Sequence, residues 1–299
     1  MSTDDRAEMA ISAPGVQASG AVQGYRPSRT LRLTVELRRQ FARRRTLGVL
    51  ALMAALPLLL IAALQLGASE NARGNDRINL VDVATASGLN FTLFVLFATT
   101  GFFLVVVFAL FFGDTVASEA QWGALRYTLA TPVPRMRLLR QKWLAALVLS
   151  VGALLTLTAV AVVAGSIAFG FGAVETPIGV TLAQGEGFVR LAGMLGYLAV
   201  HLLVVGTLAF WFSTITDAPL AAVGGAVFTM FVFAILDQVE QLGSLRDWFP
   251  TAGEFAWVDL LQTPVQDGDL FRGVVQSLVY AALFTALGFR AFARRDVTS

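Results

Sequence analysis

The chain has 299 residues, of which 56% are hydrophobic and 14% charged, and its mean hydropathy is +0.70. This composition lies outside that of a soluble domain and indicates an integral membrane protein. No cysteine occurs, which excludes disulfides, thiol catalysis and thiolate metal sites. The net charge of +2 reflects membrane topology rather than binding to nucleic acid, so no nucleic-acid partner is expected.

The first 45 residues contain no membrane span. Residues 1–28 lack an apolar run and predict a disordered cytoplasmic tail. Residues 29–45, RTLRLTVELRRQFARRR, have the spacing of an amphipathic helix. Its apolar face includes Leu33, Leu37 and Phe41, and its polar face Glu36, Arg39 and Arg43. We expect an interfacial helix that attracts anionic lipid; the alternative is a solvated basic linker.

Six apolar stretches are long enough to cross the bilayer, which takes about 20 helical residues. They lie near 46–66, 89–112, 143–165, 191–212, 219–236 and 273–289. Their continuous apolar character differs from the alternation of barrel strands. The sequence therefore predicts an all-α integral membrane protein with six transmembrane helices. One transmembrane domain would cover residues 29–295, followed by a tail at 296–299.

The basic residues predict the orientation of the chain, because they accumulate on the cytoplasmic side of membrane proteins. With both termini inside, the cytoplasmic segments hold 17 of the 22 arginine and lysine residues and the outer loops hold 5. Acidic residues lean the other way, with 8 inside and 12 outside. We expect a multi-pass protein of the cytoplasmic membrane with both termini in the cytoplasm.

The outer segment 237–272 is rich in aromatic residues on either side of a break at Pro250 and Gly253. The aromatic residues are Trp248, Phe249, Phe255 and Trp257. Such side chains favour the membrane–water boundary, and each half of the segment is too short to span it. We therefore expect two short re-entrant helices before span six; the alternative is an ordinary loop with a few buried aromatic residues.

The residues that membrane enzymes need are scarce in this chain. There is one histidine, His201, and one lysine, Lys142, which no glycine-rich loop precedes, so neither a metalloprotease motif nor a phosphate-binding P-loop can form. No catalytic or metal-ligating residue is expected, and the chain is not an enzyme by itself. His201 lies mid-span, one turn after Tyr197. With Thr100 these residues either mark a substrate path or make structural hydrogen bonds.

The stretch 118–143, SEAQWGALRYTLATPVPRMRLLRQKW, is polar and basic and follows the second span. Helix-forming residues from Thr115 to Ala130 predict a cytoplasmic helix that the prolines of TPVP end. One face carries Glu119, Gly123 and Arg126, and an adjoining apolar stripe carries Trp122, Leu125 and Leu129. Tryptophan and arginine are common at binding hot spots, so this face is a candidate docking surface. Alternatively, the two charged residues cap a helix that packs under the bundle.

These residues resemble a motif of type-2 ABC exporter permeases, the membrane subunits of antibiotic, multidrug and copper-associated exporters. In that family the pattern E-x3-G-x-L-R-x2-L-x2-P-x2-R-x3-L-x2-K follows the second span. The matching residues are Glu119, Gly123, Leu125, Arg126, Leu129, Pro132, Arg135, Leu139 and Lys142. The chain departs from the family at Ala124, usually threonine, and at Trp122, usually a small residue.

The resemblance covers residues 29–295. It implies that the helix predicted from Thr115 to Ala130 is a coupling helix, which enters a cleft on a separate cytoplasmic ATPase. The implied contacts come from Glu119, Trp122, Gly123, Leu125, Arg126, Leu129 and Arg135. It also implies a dimer of permease copies, identical or paralogous, with ATP and Mg bound by the ATPase and no cofactor bound by this chain.

The uncharged spans favour a hydrophobic or amphipathic cargo, exported across the cytoplasmic membrane. A different class is also compatible with the sequence, a non-transporting membrane scaffold or immunity protein. In such a protein the basic loop would serve only to set the topology.

Overall fold

The computed structural model describes residues 33–68, 80–121, 135–175, 181–265 and 267–294. Its α-helices are Leu33–Phe41, Arg44–Ala68, Leu80–Thr85, Gly88–Thr99, Val105–Gln121, Arg135–Phe169, Gln184–Ile215, Pro219–Asp237 and Gly268–Arg294. A π-helical turn, Thr100–Leu104, joins the fourth and fifth of these into one long helix. Two short strands, Val174–Glu175 and Thr181–Leu182, pair antiparallel.

Within the described residues, the structure confirms an all-α architecture with six helices long and apolar enough to cross a membrane, as in a multi-pass membrane protein. These spans are Arg44–Leu66, Gly88–Gln121, Arg135–Phe169, Gln184–Ile215, Pro219–Asp237 and Gly268–Arg294. Several are longer than predicted. Span 2 has 34 residues, about 50 Å at 1.5 Å per residue, against about 30 Å of hydrocarbon. An apolar run in the sequence indicates the part of a helix that suits the bilayer. The helix itself is longer, because its backbone hydrogen bonds continue into the polar residues on either side.

Span 4 is the central helix of the bundle. In its most apolar window 67% of the residues are buried, compared with 17% in spans 1, 5 and 6. It packs against spans 2, 5 and 6, and span 3 packs against spans 1 and 2. Because lipid tails are as apolar as leucine, close packing and hydrogen bonds rather than hydrophobic burial hold such helices together.

Spans 2 and 3 pack closely where Gly88 meets Ser166. A Cβ atom on Gly88 would lie 2.5 Å from the backbone nitrogen of Ser166, so only glycine fits there. Among other glycines of the spans, Gly225 is also in a tight contact, since a Cβ atom there would lie 3.2 Å from the Phe212 ring, whereas Gly196 and Gly224 are not. A Cβ atom at either position would meet no described atom within 4 Å. Composition shows that glycines are present in a span but not which face of the helix they occupy.

The segment before span 6 forms two short 3-10 helical stretches, Glu240–Trp248, which is kinked at Gly243, and Ala256–Leu261, on either side of a turn that contains Gly253 with φ of 81°. Side chains of the spans bind its backbone carbonyl groups. Arg190 Nη1 donates to Leu260 O at 2.7 Å, and Gln276 Nε2 donates to Phe249 O at 2.9 Å. The segment is therefore fixed to spans 4 and 6. Its depth relative to a bilayer stays a prediction.

Of the amphipathic stretch 29–45, the structure describes residues 33–45; these form a helix over Leu33–Phe41, and a break precedes span 1 at Arg44. Glu36 was expected on a solvent-facing side, but it is only 1% exposed, whereas Val35 is 58% exposed. Glu36 faces the bundle, where Lys142 of span 3 lies 4.0 Å away, and Leu37 beside it packs against the core. The predicted tails, 1–28 and 296–299, lie outside the described residues.

Candidate functional site: an ionic cluster at the base of the 122–134 segment

The predicted docking residues fall mostly outside the described part of the chain. Trp122, Gly123, Leu125, Arg126 and Leu129 belong to the segment 122–134, which the structure leaves undescribed; Arg135 is exposed at the start of span 3. One prediction needs correction. Thr115–Gln121 does not begin a separate helix but continues span 2 without interruption. The sequence there contains no helix breaker, and neighbouring elements bury its side chains as far as Glu119.

Glu119 and Lys142 stand at the two ends of the motif and meet in space. Lys142 Nζ lies 2.6 Å from Glu119 Oε1, and the two side chains are 2% and 6% exposed. This contact joins the last turns of span 2 to the first turns of span 3, the two helices that residues 122–134 connect in the sequence. Glu119 was expected on an exposed docking face, but it is buried against this lysine, the only one in the sequence.

The N-terminal helix completes the group of charges. Arg39 Nη2 contacts Glu119 Oε1 directly and lies 3.4 Å from Glu36 Oε1. Gln40 Nε2 donates to the same Glu36 oxygen at 3.0 Å, and Lys142 Nζ lies 4.0 Å from it. We call Glu36, Arg39, Glu119 and Lys142 the ionic cluster. It contains two carboxylates and two cations, so its formal charge is zero.

Charges buried to this extent require such pairing, because removing an ion from water costs several kcal/mol unless a counter-ion and hydrogen bonds replace the water. At Arg39 burial opposes the charged form, but the carboxylates of Glu36 and Glu119 outweigh it and raise the pKa of the guanidinium. The Arg39 guanidinium therefore stays charged within the cluster. It links three elements that the sequence separates by about a hundred residues: the N-terminal helix, span 2 and span 3.

Two further contacts fix the end of span 2. Asp114 pairs with Arg43 at 3.1 Å and with Arg45 at 2.7 Å, across the break before span 1. On the other side, Ser213 Oγ of span 4 accepts hydrogen bonds from the backbone nitrogens of Val116 and Ala117, at 3.0 and 2.9 Å. Spans 1, 2 and 4 are thereby connected beside the ionic cluster.

The sequence did not identify Glu36, Arg39 or Asp114 as members of this site. A signal was present, since Glu36 is the one acidic residue in the basic stretch 29–45, and Asp114 and Glu119 are the only acidic residues of 113–142. Without the fold, however, nothing connected them to Lys142. The pairing depends on long-range packing of three helices.

The three residues of the predicted substrate path lie towards the opposite end of the bundle. Thr100 and His201 line one cleft between spans 2, 4 and 5. Tyr197 instead donates to the carbonyl oxygen of Gly253 at 2.6 Å and holds the turn between the two 3-10 helices. His201 Nδ1 lies 3.2 Å from Ser277 Oγ. His201 thus has a hydrogen-bonding partner, Ser277, as the structural alternative predicted. It also lines the cleft.

Comparison with known proteins identifies the family of the chain. The family model described as "Protein of unknown function (DUF2705)" matches residues 58–298, most of the sequence. The chain belongs to the DUF2705 family. Glu119 and Lys142 lie inside the DUF2705 match, whereas Glu36 and Arg39 precede it. A relative in Bacillus subtilis (strain 168), "Uncharacterized protein YhcI", is 29% identical over 222 residues, which cover 70% of this chain and 67% of the relative.

Proposed function

We propose that the chain is the membrane subunit of an ATP-driven exporter of the ABC type. In this proposal it works as a pair of permease copies with a separate cytoplasmic ATPase, which binds ATP and Mg. The observation that carries the proposal is the motif over residues 119–142, together with the contact between its first and last residues, Glu119 and Lys142.

The ionic cluster supports this function by its position. A segment that receives force from an ATPase needs a firm base, since a flexible attachment would absorb the displacement. The Glu119–Lys142 pair closes the base of residues 122–134, and Arg39 ties it to the N-terminal helix. Ser213 continues the connection to span 4, the central helix. In the proposed mechanism, residues 122–134 dock on the ATPase, and Glu119 holds them in place rather than contacting the partner.

The same proposal sets the orientation. The ionic cluster and residues 122–134 face the cytoplasm, both termini lie there, and the 3-10 helices before span 6 lie at the outer surface, re-entering its interface. Support comes from the distribution of basic residues, 17 on the proposed inner side and 5 on the outer side. The exposed apolar residues of the N-terminal helix, such as Val35 and Phe41, support its contact with anionic lipid headgroups and the upper acyl region.

A single-cysteine scan tests the orientation, because the natural sequence has no cysteine to remove. Gly185 and Gly268 offer open space for a side chain at the proposed outer surface, and Ala218 is exposed at the proposed inner one. We expect a membrane-impermeant maleimide to label G185C and G268C in intact cells, and A218C and T131C only after permeabilisation. Labelling of A218C in intact cells would refute the six-span orientation.

A second prediction concerns docking on the ATPase. Arg126→Ala removes a charge-assisted contact, which is worth about 1.5–3 kcal/mol and corresponds to a 10- to 150-fold loss of affinity. Gly123→Trp should weaken binding further by its volume. The measurements are pull-down of the ATPase encoded beside this chain and the ATPase rate of the complex.

The matched control is Gln121→Ala, at an exposed position that precedes the docking segment, which should retain binding. All three variants should insert and elute like the natural chain, which separates lost docking from lost folding. Natural ATPase binding and turnover in both R126A and G123W would overturn the proposed coupling and favour a non-transporting scaffold or immunity protein.

A further inference from the structure

The two halves of span 2 pack against different helices. The first half, Gly88–Thr99, packs mainly against span 3 and makes little contact with span 4. The rings of Phe91 and Phe169 lie 5.4 Å apart, and a Cβ atom on Gly165 of span 3 would lie 2.7 Å from the Phe91 ring. The first half of span 2 is therefore closely attached to the end of span 3.

The second half, Val105–Gln121, has span 4 as its main partner and also contacts spans 3 and 5. A Cβ atom on Gly206 of span 4 would lie 2.8 Å from the Phe112 ring, so the two helices are in close contact there. Ser213 of span 4 accepts its two hydrogen bonds from the backbone of the same half. The main partner of span 2 thus changes from span 3 to span 4 along its length.

The change of partner coincides with the π-helical turn Thr100–Leu104. The hydrogen bonds of a π-helix run between residues i and i+5, so such a turn interrupts the regular α-helical pattern, and it is frequent at functional sites. Turns of this kind are among the few causes of sharp kinks in helices. The turn includes Gly101, and glycine restricts the backbone least of all residues. Span 2 is therefore most easily bent at this turn.

Span 4, span 6 and the 3-10 segment, residues 240–262, form a second unit. Spans 4 and 6 pack against each other near both ends. A Cβ atom on Gly273 of span 6 would overlap Tyr197 Oη, and one on Gly288 would lie 2.7 Å from the Phe210 ring. Only glycine fits at these two positions while the helices stay this close. We call this unit the span 4/6 body.

Side chains of spans 4 and 6 attach the 3-10 segment to this body through its backbone carbonyl groups. Arg190 and Tyr197 of span 4 donate to its second half and its turn, and Gln276 of span 6 donates to its first half. Tyr280 Oη of span 6 also donates to Trp248 O. Because these hydrogen bonds are spread along the segment, it should move together with spans 4 and 6.

The boundary between the 3-10 segment and span 2, which we call the seam, is held more weakly. The rings of Phe97 and Phe255 lie 5.1 Å apart, and a Cβ atom on Gly101 would lie 3.1 Å from Glu254 Oε1. Within the described residues no hydrogen bond crosses the seam, and the Glu254 carboxylate has neither a hydrogen bond nor a basic partner. Burying a charge without a partner costs free energy, so Glu254 opposes a closed seam.

We propose that the π-helical turn of span 2 is a hinge, about which the first half of span 2 and the adjoining end of span 3 swing away from the span 4/6 body and open the seam. The second half stays in place, because Ser213 and the ionic cluster hold it. The first half has 12 residues, an arm of roughly 18 Å, so a bend of about 20° displaces its start by about 6 Å. That this opening releases an exported molecule rests on the proposed function, whereas the motion itself does not.

The motion is tested with pairs of spin labels on the full-length chain in lipid nanodiscs, by double electron–electron resonance. The natural sequence has no cysteine, so each label can be placed by one substitution at an exposed residue. The seam pair is A86C with S244C, the body pair S244C with A282C, and the inner pair Q121C with A218C. We expect two distances that differ by about 6 Å for the seam pair and one narrow distribution for each of the others.

Two substitutions should shift the seam pair towards the shorter distance. Gly101→Ala restricts the backbone of the hinge, and a preference of about 0.5–1 kcal/mol for the regular helix corresponds to a shift of roughly 2- to 5-fold. Glu254→Gln removes the unpaired charge that opposes closure. The matched controls are Gly196→Ala, at an open position of span 4, and Glu240→Gln, at the exposed start of the 3-10 segment. Both should keep the natural distribution.

Three results would overturn the proposal: a single narrow distribution for the seam pair, a body or inner pair as broad as the seam pair, or a seam distribution that neither G101A nor E254Q changes. All variants should elute at the natural position in size-exclusion chromatography, which shows that they are folded. Because no ATPase is present, the motion can be found while the exporter proposal fails, and the reverse.

Discussion

Lys142→Met is expected to destabilise the folded chain by about 3–5 kcal/mol, the usual cost of leaving a buried charge without its partner. Glu119 and Glu36, 5% and 1% exposed, would then face each other with Arg39 as their only described cation. The measurement is unfolding of the purified chain in detergent micelles by heat and by denaturant. Salt should change the difference little, because buried pairs are weakly screened.

Two variants show whether pairing, rather than side-chain volume, is responsible. Lys142→Met combined with Glu119→Gln removes both charges and should recover more than half of the lost stability, since replacing both members of a buried pair is often nearly neutral. Arg45→Met removes a 57% exposed partner of Asp114 and should cost at most about 1 kcal/mol. If K142M proved as mild as R45M, the ionic cluster would not stabilise the base of residues 122–134.

Gly88→Ala is expected to cost about 3 kcal/mol, at the upper end of the range for inserting a methyl group into a packed contact. Its Cβ atom would lie 2.5 Å from a backbone nitrogen of span 3, at Ser166, so two helix backbones must separate. The separation also strains the hydrogen bond of 2.9 Å from Gly88 N to Gly170 O. Unfolding in micelles again provides the measurement.

Gly152→Ala is the control for helix propensity in the same pair of spans. A Cβ atom there meets no described atom within 4 Å. Alanine should therefore be neutral or stabilising by about 0.5–1 kcal/mol, the intrinsic preference of helices for alanine over glycine. A loss at Gly152 equal to that at Gly88 would attribute both effects to the glycine itself and contradict the close crossing of spans 2 and 3.

The local predictions depended on features that lie within one stretch of sequence. The N-terminal helix was expected over 29–45 because Leu33, Leu37 and Phe41 share one face, and a helix is present at Leu33–Phe41. The break between the two short 3-10 helices lies at the Pro250 and Gly253 positions that suggested it. Periodicity and helix breakers depend on residues that are close in the sequence, so they can be recognised before the fold is known.

The sequence predicted the functional site less completely than it predicted the local structure. Glu119 and Lys142 were both in the motif, but their contact was not foreseen, and Glu36 and Arg39 were placed on a solvated face. His201 and Thr100 were named without Glu254, which lines the same cleft. An acidic residue in a loop sequence looks the same whether it is solvated or faces a cavity.

The sequence by itself determined that this is an all-α membrane protein with six spans, because roughly 20 consecutive apolar residues have few other stable environments. It also determined where basic residues concentrate, and thus the expected orientation. Only the tertiary structure decided that span 4 is central, that Gly88 rather than Gly196 makes the close crossing, and that Lys142 meets Glu119 and Glu36. In a bilayer all faces of an apolar helix are equally soluble, so hydropathy specifies insertion. Helix rotation and partners follow from packing and buried charge pairs between distant segments.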